Sequence, residues 1–198
     1  MSKFQRALFL LVALSLFLAK GGEGVSDIKN KKIVMIIASE NFRDEELNIP
    51  LGNFKEGGAE VVIASSSLDA AKGMLGAVVK ATLLYSDIDV NSFDAIVFIG
   101  GSGASEYWDD PTAHKIANDA ASKGKVLAAI CIAPVTLARA GVIEGKRATV
   151  WPSEKEQLVK AKVKYTAKAV EVDGNIVTAN GPQSADRFSK EIIKLLSK

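Results

Sequence analysis

The only cysteine of the chain, Cys131, lies in AAICIAPVTLARAG (128–141), where an apolar run meets a helical pattern. Ala129 and Ala133, two residues to either side, supply the small flanks that a strand–nucleophile–helix elbow requires, because its tight turn leaves no room for larger side chains. At such a position the free amides and partial positive charge of the helix start favour a thiolate, the nucleophilic form of the side chain. A lone cysteine among Ala and Ile also reads as core filler, since free cysteine is among the most buried residue types. The residues around Cys131 leave both readings open.

Gly100-Gly101 ends the apolar run FDAIVFIGG (93–101). A glycine pair there lets the backbone turn sharply and aim amides into a crevice, as an oxyanion site requires, although a plain tight turn accounts for it too. The following GGSG has neither the spacing nor the lysine of a phosphate-binding loop, so no nucleotide is expected. Asp44, Glu45 and Glu46 open a helix, where the dipole favours acids whatever the function. Glu46 is set apart by Pro50 four residues on, which has no N–H for the Glu46 carbonyl, and the helix is expected to bend there. A carboxyl held near Cys131 would stay protonated, donate to the thiolate and shuttle a proton.

His114 is the one histidine, and its spacing puts it off the apolar face of Ala113, Ile116 and Ala117, toward solvent. That placement disfavours a Cys–His dyad. One histidine and one cysteine exclude metal centres built on several of either, and no cofactor is expected.

These residues need elements that bring them to one place. KIVMIIAS (32–39), AEVVIASSS (59–67), FDAIVFIGG and KVLAAIC (125–131) read as strands covered on both faces, in a pattern that alternates with helices. Leu47, Leu51 and Phe54 mark the first helix, stopped by Gly57-Gly58. Asp110 and Pro111 read as N-cap and first residue of a second helix, with Ala113, Ile116, Ala117 and Ala120 facing inward and Gly124 at its end. APVTLARAG reads as a third helix. A short strand at 147–151, a helix from Ser153, strands near 167–172 and 175–180 joined through Asp173-Gly174, and a closing helix with Phe188, Ile192, Leu195 and Leu196 on one face complete the pattern. The pairing of 68–90 stays open. Strands alternating with helices predict an α/β fold, a doubly wound and mainly parallel sheet with helices on both faces.

The chain has 198 residues, 48% apolar and 24% charged. Lys3 and Arg6 precede an apolar stretch from Ala7 to Ala19 and a glycine-rich segment, the layout of an export signal over residues 1–24, with an uncleaved membrane anchor as the alternative. This places the protein outside the cytoplasm, with one domain over residues 25–198 and the membrane touched only through an uncleaved leader. The formal charge of +2 leaves with the leader, which carries Lys3, Arg6, Lys20 and Glu23. A charge-balanced domain gives no footprint for nucleic acid.

Four segments in this order, FRDEELNIPLGNFKEGGAEVVIAS, FDAIVFIGG, KVLAAICIAPVTLARAGVIEGKRATVWPS and VTANGPQSADRF, resemble the PfpI superfamily from about residue 31 to the C-terminus. That superfamily includes the parkinsonism-associated protein deglycase, glyoxalase III enzymes and PfpI-type cysteine peptidases. The resemblance implies a flavodoxin-like, class I glutamine amidotransferase-like sandwich and a homodimer. It also implies Cys131 as nucleophile, Glu46 as the buried acid touching its sulfur, and the Gly101 and Ile132 amides, with Gly100 beside them, as the oxyanion donors.

Two positions depart from that pattern. Ile132 stands where peptidase-like members carry a histidine, and Trp151 where others carry one farther along. Glu106 is the nearest match to a glutamate that peptidase-type members take from a neighbouring subunit, at a shifted spacing. The expected function is a cofactor-independent glyoxalase or deglycase acting on methylglyoxal, glyoxal or their early protein adducts. A non-enzymatic redox sensor or holdase using Cys131 is the alternative, and a peptidase is disfavoured by Ile132.

Overall fold

The computed structural model describes residues 27–198, and the leader assigned to residues 1–24 lies outside the described residues. Strand β1 (Lys32–Ile37) leads through β2 (Glu40–Phe42) into α1 (Asp44–Glu56). α1 buries Leu47 and Phe54, continues through Pro50 and stops at Gly57-Gly58, where Gly58 adopts φ 89°. β3 (Glu60–Ser65) closes the first βαβ unit, pairing in parallel with β1 from Lys32↔Glu60 to Ile37↔Ser65. The stretch left open by the sequence forms a hairpin of β4 (Ala70–Gly73) and β5 (Val78–Lys80), with β2 alongside β4, and then the edge strand β6 (Leu83–Leu84). Next come β7 (Ala95–Phe98), α2 (Pro111–Ser122), β8 (Val126–Ile130) and α3 (Pro134–Arg139). Asp110 caps α2 as expected, its Oδ1 accepting the Ala113 N–H at 2.7 Å.

The C-terminal third contains β9 (Arg147–Ala148), α4 (Lys155–Lys160), β10 (Lys164–Tyr165), β11 (Val170–Asp173), β12 (Ile176–Ala179) and α5 (Ala185–Leu196). The seven-stranded sheet runs β11-β12-β8-β7-β1-β3-β6, parallel except for β11, which joins β12 as an antiparallel hairpin with Gly174 at φ 62° in the turn. This is the expected flavodoxin-like sheet. Its pleat separates two cores: Val34, Ile36, Ile96, Phe98 and Leu127 face α2, α3 and α4, while Ile33, Met35, Ile37, Val97 and Ile130 face α1 and α5.

Two strands differ from expectation. β3 is only half-buried at Val61–Ile63, because its outer neighbour β6 covers just Ala64 and Ser65. The strand expected at 147–151 shrinks to two residues that pair with β10 outside the main sheet. Beyond Ala148, the Thr149 amide is taken by the Thr178 hydroxyl (2.9 Å) and the Trp151 amide by the Cys131 carbonyl (2.8 Å), so no partner strand forms.

α1 and the small hairpin are locked together by Asp44. Its Oδ2 accepts the Leu75 N–H at 2.8 Å and its Oδ1 the Ala77 N–H at 2.7 Å. Gly73 lies against the same carboxyl, since a Cβ there would come within 2.5 Å of Oδ2. Burial pushes the Asp44 carboxyl up, and the two hairpin amides overcome that and hold it below its ordinary value. A depressed folded-state value contributes stability above the unfolded value and loses it as pH falls through the folded one. Asp44→Ala is expected to cost about 1–3 kcal/mol at pH 7. In thermal melts that difference from the wild type should shrink as pH drops below about 3.9, the ordinary Asp value.

Candidate active site

The order β3-β1-β7-β8-β12 places the switch in winding direction between β1 and β7, and the crevice beyond the carboxyl ends of such strands is where ligands bind. The chain turns sharply there three times. After β8, the Cys131 amide still donates to Ala179 of β12 (2.9 Å), but the residue itself takes φ 63°, left-handed and strained for a side chain larger than glycine. Ala133 and Pro134 then turn the chain into α3. The elbow read from Ala129 and Ala133 is therefore present, with Cys131 8% exposed at its apex.

After β7, Gly100 and Gly101 make the second turn. A Cβ at Gly100 would collide with the Cys131 Cβ and lie 2.5 Å from Glu46 Oε2, so thiol and acid meet over a bare Cα. Gly101 has φ 99°, and a Cβ there would strike the Asn41 carbonyl and the Arg43 amide. The third turn follows β2, where the Arg43 amide donates to the Gly100 carbonyl (2.9 Å) and pins the start of α1 to the end of β7. Of the three acids that open α1, Asp44 holds the hairpin, Glu45 pairs with the Arg43 guanidinium (2.7 Å), and Glu46 turns inward.

Glu46 is fully buried. Its Oε2 accepts the Gly100 N–H at 3.1 Å, and among the described residues its Oε1 has no hydrogen-bond partner. Burial raises its carboxyl to about 8, a rise that Cys131 and the Gly100 amide only partly oppose. Burial likewise pushes the Cys131 thiol up to about 12. The Glu46 charge adds to that push, whereas the Gly101 and Ile132 amides, which donate toward the sulfur, oppose it. The repulsion from Glu46 acts only when the carboxyl is ionised. At neutral pH both groups are therefore mainly protonated, so the thiolate expected at the elbow is the minor form, and a protonated Glu46 spares it a neighbouring charge when it does form.

Cys131 and Glu46 open onto a cavity of about 540 Å³. Gly101, Ile132 and Trp151 line it too, whereas Glu106 does not; Glu106 is exposed and accepts from the Ser66 hydroxyl at 3.0 Å. His114 corrects the expectation of a solvent-facing ring. It is half-buried with Nε2 2.7 Å from the Trp108 carbonyl, and because a carbonyl can only accept, Nε2 carries the proton. Lining residues that escaped the sequence reading include Arg43, Met74 and Trp108, with Ser102, Ser105 and Glu154 beside them. Met74 comes from the hairpin whose pairing was open, and Trp108 from a 3₁₀ turn (Ser102–Tyr107) just before it, so neither had a strand or helix pattern to mark it. Gln183 belongs to the NGPQSADRF segment, now seen to reach the cavity with Pro182. Among the described residues no group of three or more His, Cys, Asp or Glu could hold a metal ion.

The profile of the DJ-1/PfpI family matches residues 31–195. A Methanocaldococcus jannaschii protein designated MJ0967 is 37% identical over 192 residues, covering 96% of this chain and 94% of its own. A Pyrococcus abyssi protein named deglycase PYRAB04690 is 34% identical over 163 residues, 82% of this chain and 98% of its own. Among solved structures, a ThiJ/PfpI domain protein from Brachyspira murdochii superposes with a TM-score of 0.82 at 31% identity, over 85% of this chain and 97% of that one.

A carboxyl whose folded value is raised contributes stability fully below its unfolded value and loses it as pH rises toward the folded one. Wild-type protein should therefore lose thermal stability relative to Glu46→Gln between about pH 4.5 and about 8, by several degrees in parallel melts. A difference that does not vary with pH would show that Glu46 is ionised in the fold.

Proposed function

Because this chain belongs to the DJ-1/PfpI family, we propose that it is a cysteine-dependent, cofactor-independent glyoxalase or deglycase acting on methylglyoxal, glyoxal or their early protein adducts. The observation that carries this reading is the juxtaposition of Cys131 and a protonated Glu46 at Gly100, with two amides aimed at the sulfur. The name deglycase borne by the P. abyssi relative supports it.

In the proposed reaction the Cys131 thiolate bonds to the aldehyde carbon of methylglyoxal and gives a hemithioacetal, its oxygen steadied by the Gly101 and Ile132 amides. Glu46 gives its proton to that oxygen, and the carboxylate so formed takes the hydrogen on the same carbon as a proton and delivers it to the neighbouring carbon; the hemithioacetal hydroxyl proton passes to the ketone oxygen, which becomes the alcohol, and a lactoyl thioester is left. Water cleaves the thioester to lactate and returns the thiol. One carbon is oxidised to the acid level as its neighbour is reduced, so no external oxidant is consumed. An aldehyde is already electrophilic, and this chemistry needs no histidine.

Peptide hydrolysis is less well supported. Neither Ile132 nor Trp151 offers a base, and the His114 ring nitrogen Nε2 is engaged by the Trp108 carbonyl. A redox sensor would use the same cysteine without turnover. Export directed by residues 1–24 and a homodimeric state belong to the same proposal.

Protein lacking residues 1–24 is expected to form lactate from methylglyoxal without added cofactor. Cys131→Ala should abolish the reaction, and Glu46→Gln should slow kcat roughly 10²–10⁴-fold, the usual worth of a positioned proton donor. Absence of lactate, combined with ready peroxide oxidation of Cys131 seen by intact mass, would replace the enzyme with the sensor.

A further inference from the structure

Trp151 is 39% exposed, an unusual state for an indole, and it is exposed on the wall of the cavity that holds Cys131. Its place is fixed from two sides. The backbone amide donates to the Cys131 carbonyl (2.8 Å), so the indole is tethered to the nucleophile's own peptide. The ring lies against Gly181, where a Cβ would stand 2.7 Å from both Cε3 and Cζ3. Gly181 takes φ 150°, so the absent side chain and the backbone path together make a seat for the six-membered ring.

One side of the cavity wall continues this apolar surface, opposite polar lining that includes Arg43, Ser102, Ser105, Ser153, Glu154 and Gln183. Trp108 is held by its Nε1–H on the Ile132 carbonyl (3.2 Å) and by the Arg139 guanidinium 5.0 Å from its ring centre. Met74, 43% exposed, contributes an adaptable thioether. Two anchored indoles and a methionine face a cavity of about 540 Å³, far more room than a three-carbon aldehyde fills. Exposed apolar surface lining a concave site is the mark of a ligand that covers it.

The geometry points to Trp151 as a specificity-determining residue that selects 2-oxoaldehydes carrying an aryl or branched alkyl group over methylglyoxal. This inference rests on the proposed function, since it names the substrate class of that same site. The carbonyl end reaches Cys131 and the substituent lies on the Trp151 face, with Trp108 and Met74 completing the slot. Glyoxal, which has no substituent, is the poorest fit.

The test compares kcat/KM for phenylglyoxal and methylglyoxal in protein lacking residues 1–24, its Trp151→Ala and Trp151→Phe variants. The expected wild-type preference for phenylglyoxal should fall roughly tenfold in Trp151→Ala, at the low end of what an apolar pocket contact is worth, and largely return in Trp151→Phe. Equal losses on both substrates, or none, would overturn the inference while leaving Cys131-dependent turnover intact. Calorimetric binding of mandelate and lactate, the products of the two substrates, reads the slot without turnover. Tighter mandelate binding that Trp151→Ala removes supports the slot even if neither aldehyde is consumed, in which case only the proposed function fails. Equal affinity for the two acids overturns the slot.

Discussion

At Gly100 the Cys131 Cβ and the Glu46 carboxyl oxygen approach a Cα from which any side chain would exclude them both. The site depends on that contact. It brings a thiol from the β8–α3 elbow and an acid from α1 onto one peptide, and the Gly100 carbonyl in turn holds the Arg43 amide at the start of α1. Because the meeting point is buried among packed strands and helices, Glu46 loses its water and holds its proton to about pH 8. A carboxylate of ordinary acidity there would repel a thiolate; a protonated carboxyl tolerates it and offers it a hydrogen bond.

The strain at Cys131 belongs to the same arrangement. A non-glycine residue at φ 63° costs about 1–3 kcal/mol, and it persists because hydrogen bonds fix the chain on both sides of it. The Cys131 amide is tied to Ala179 and its carbonyl to the Trp151 amide. One short segment thus joins β12, the elbow and the cavity wall, and the departure from the family's histidine pattern at Trp151 becomes a structural element rather than a gap. The hairpin of β4 and β5 is joined to the same centre through Asp44, next but one to Glu46 on α1, and delivers Met74 to the cavity.

Much of this was legible in the residues. The β1-to-β8 frame follows from continuous apolar runs alternating with periodic helices, because a strand covered on both faces cannot show the polar alternation of a half-exposed one. The cap at Asp110, the stop at Gly57-Gly58 and the small flanks of Cys131 each reflect a local steric or hydrogen-bonding demand. The segments that were misread or left open are those whose state depends on distant partners. Residues 149–151 have strand-like composition, but Thr178 and Cys131 take their amides; residues 70–80 became a hairpin braced by a carboxylate from α1.

The sequence by itself determined which residues could react, one thiol and a small set of carboxyls, and the layered frame that sends strand ends to one edge, because residue type and hydrophobic period are local properties. Pro50 and the family resemblance already mark Glu46 among the three acids, but only tertiary structure turned its carboxyl inward to the thiol and placed Trp108, Trp151 and Met74 around it. Those outcomes depend on the direction of a helix, the missing Cβ atoms of Gly100 and Gly181, and the water that packing excludes, all of which arise only between segments far apart in the chain.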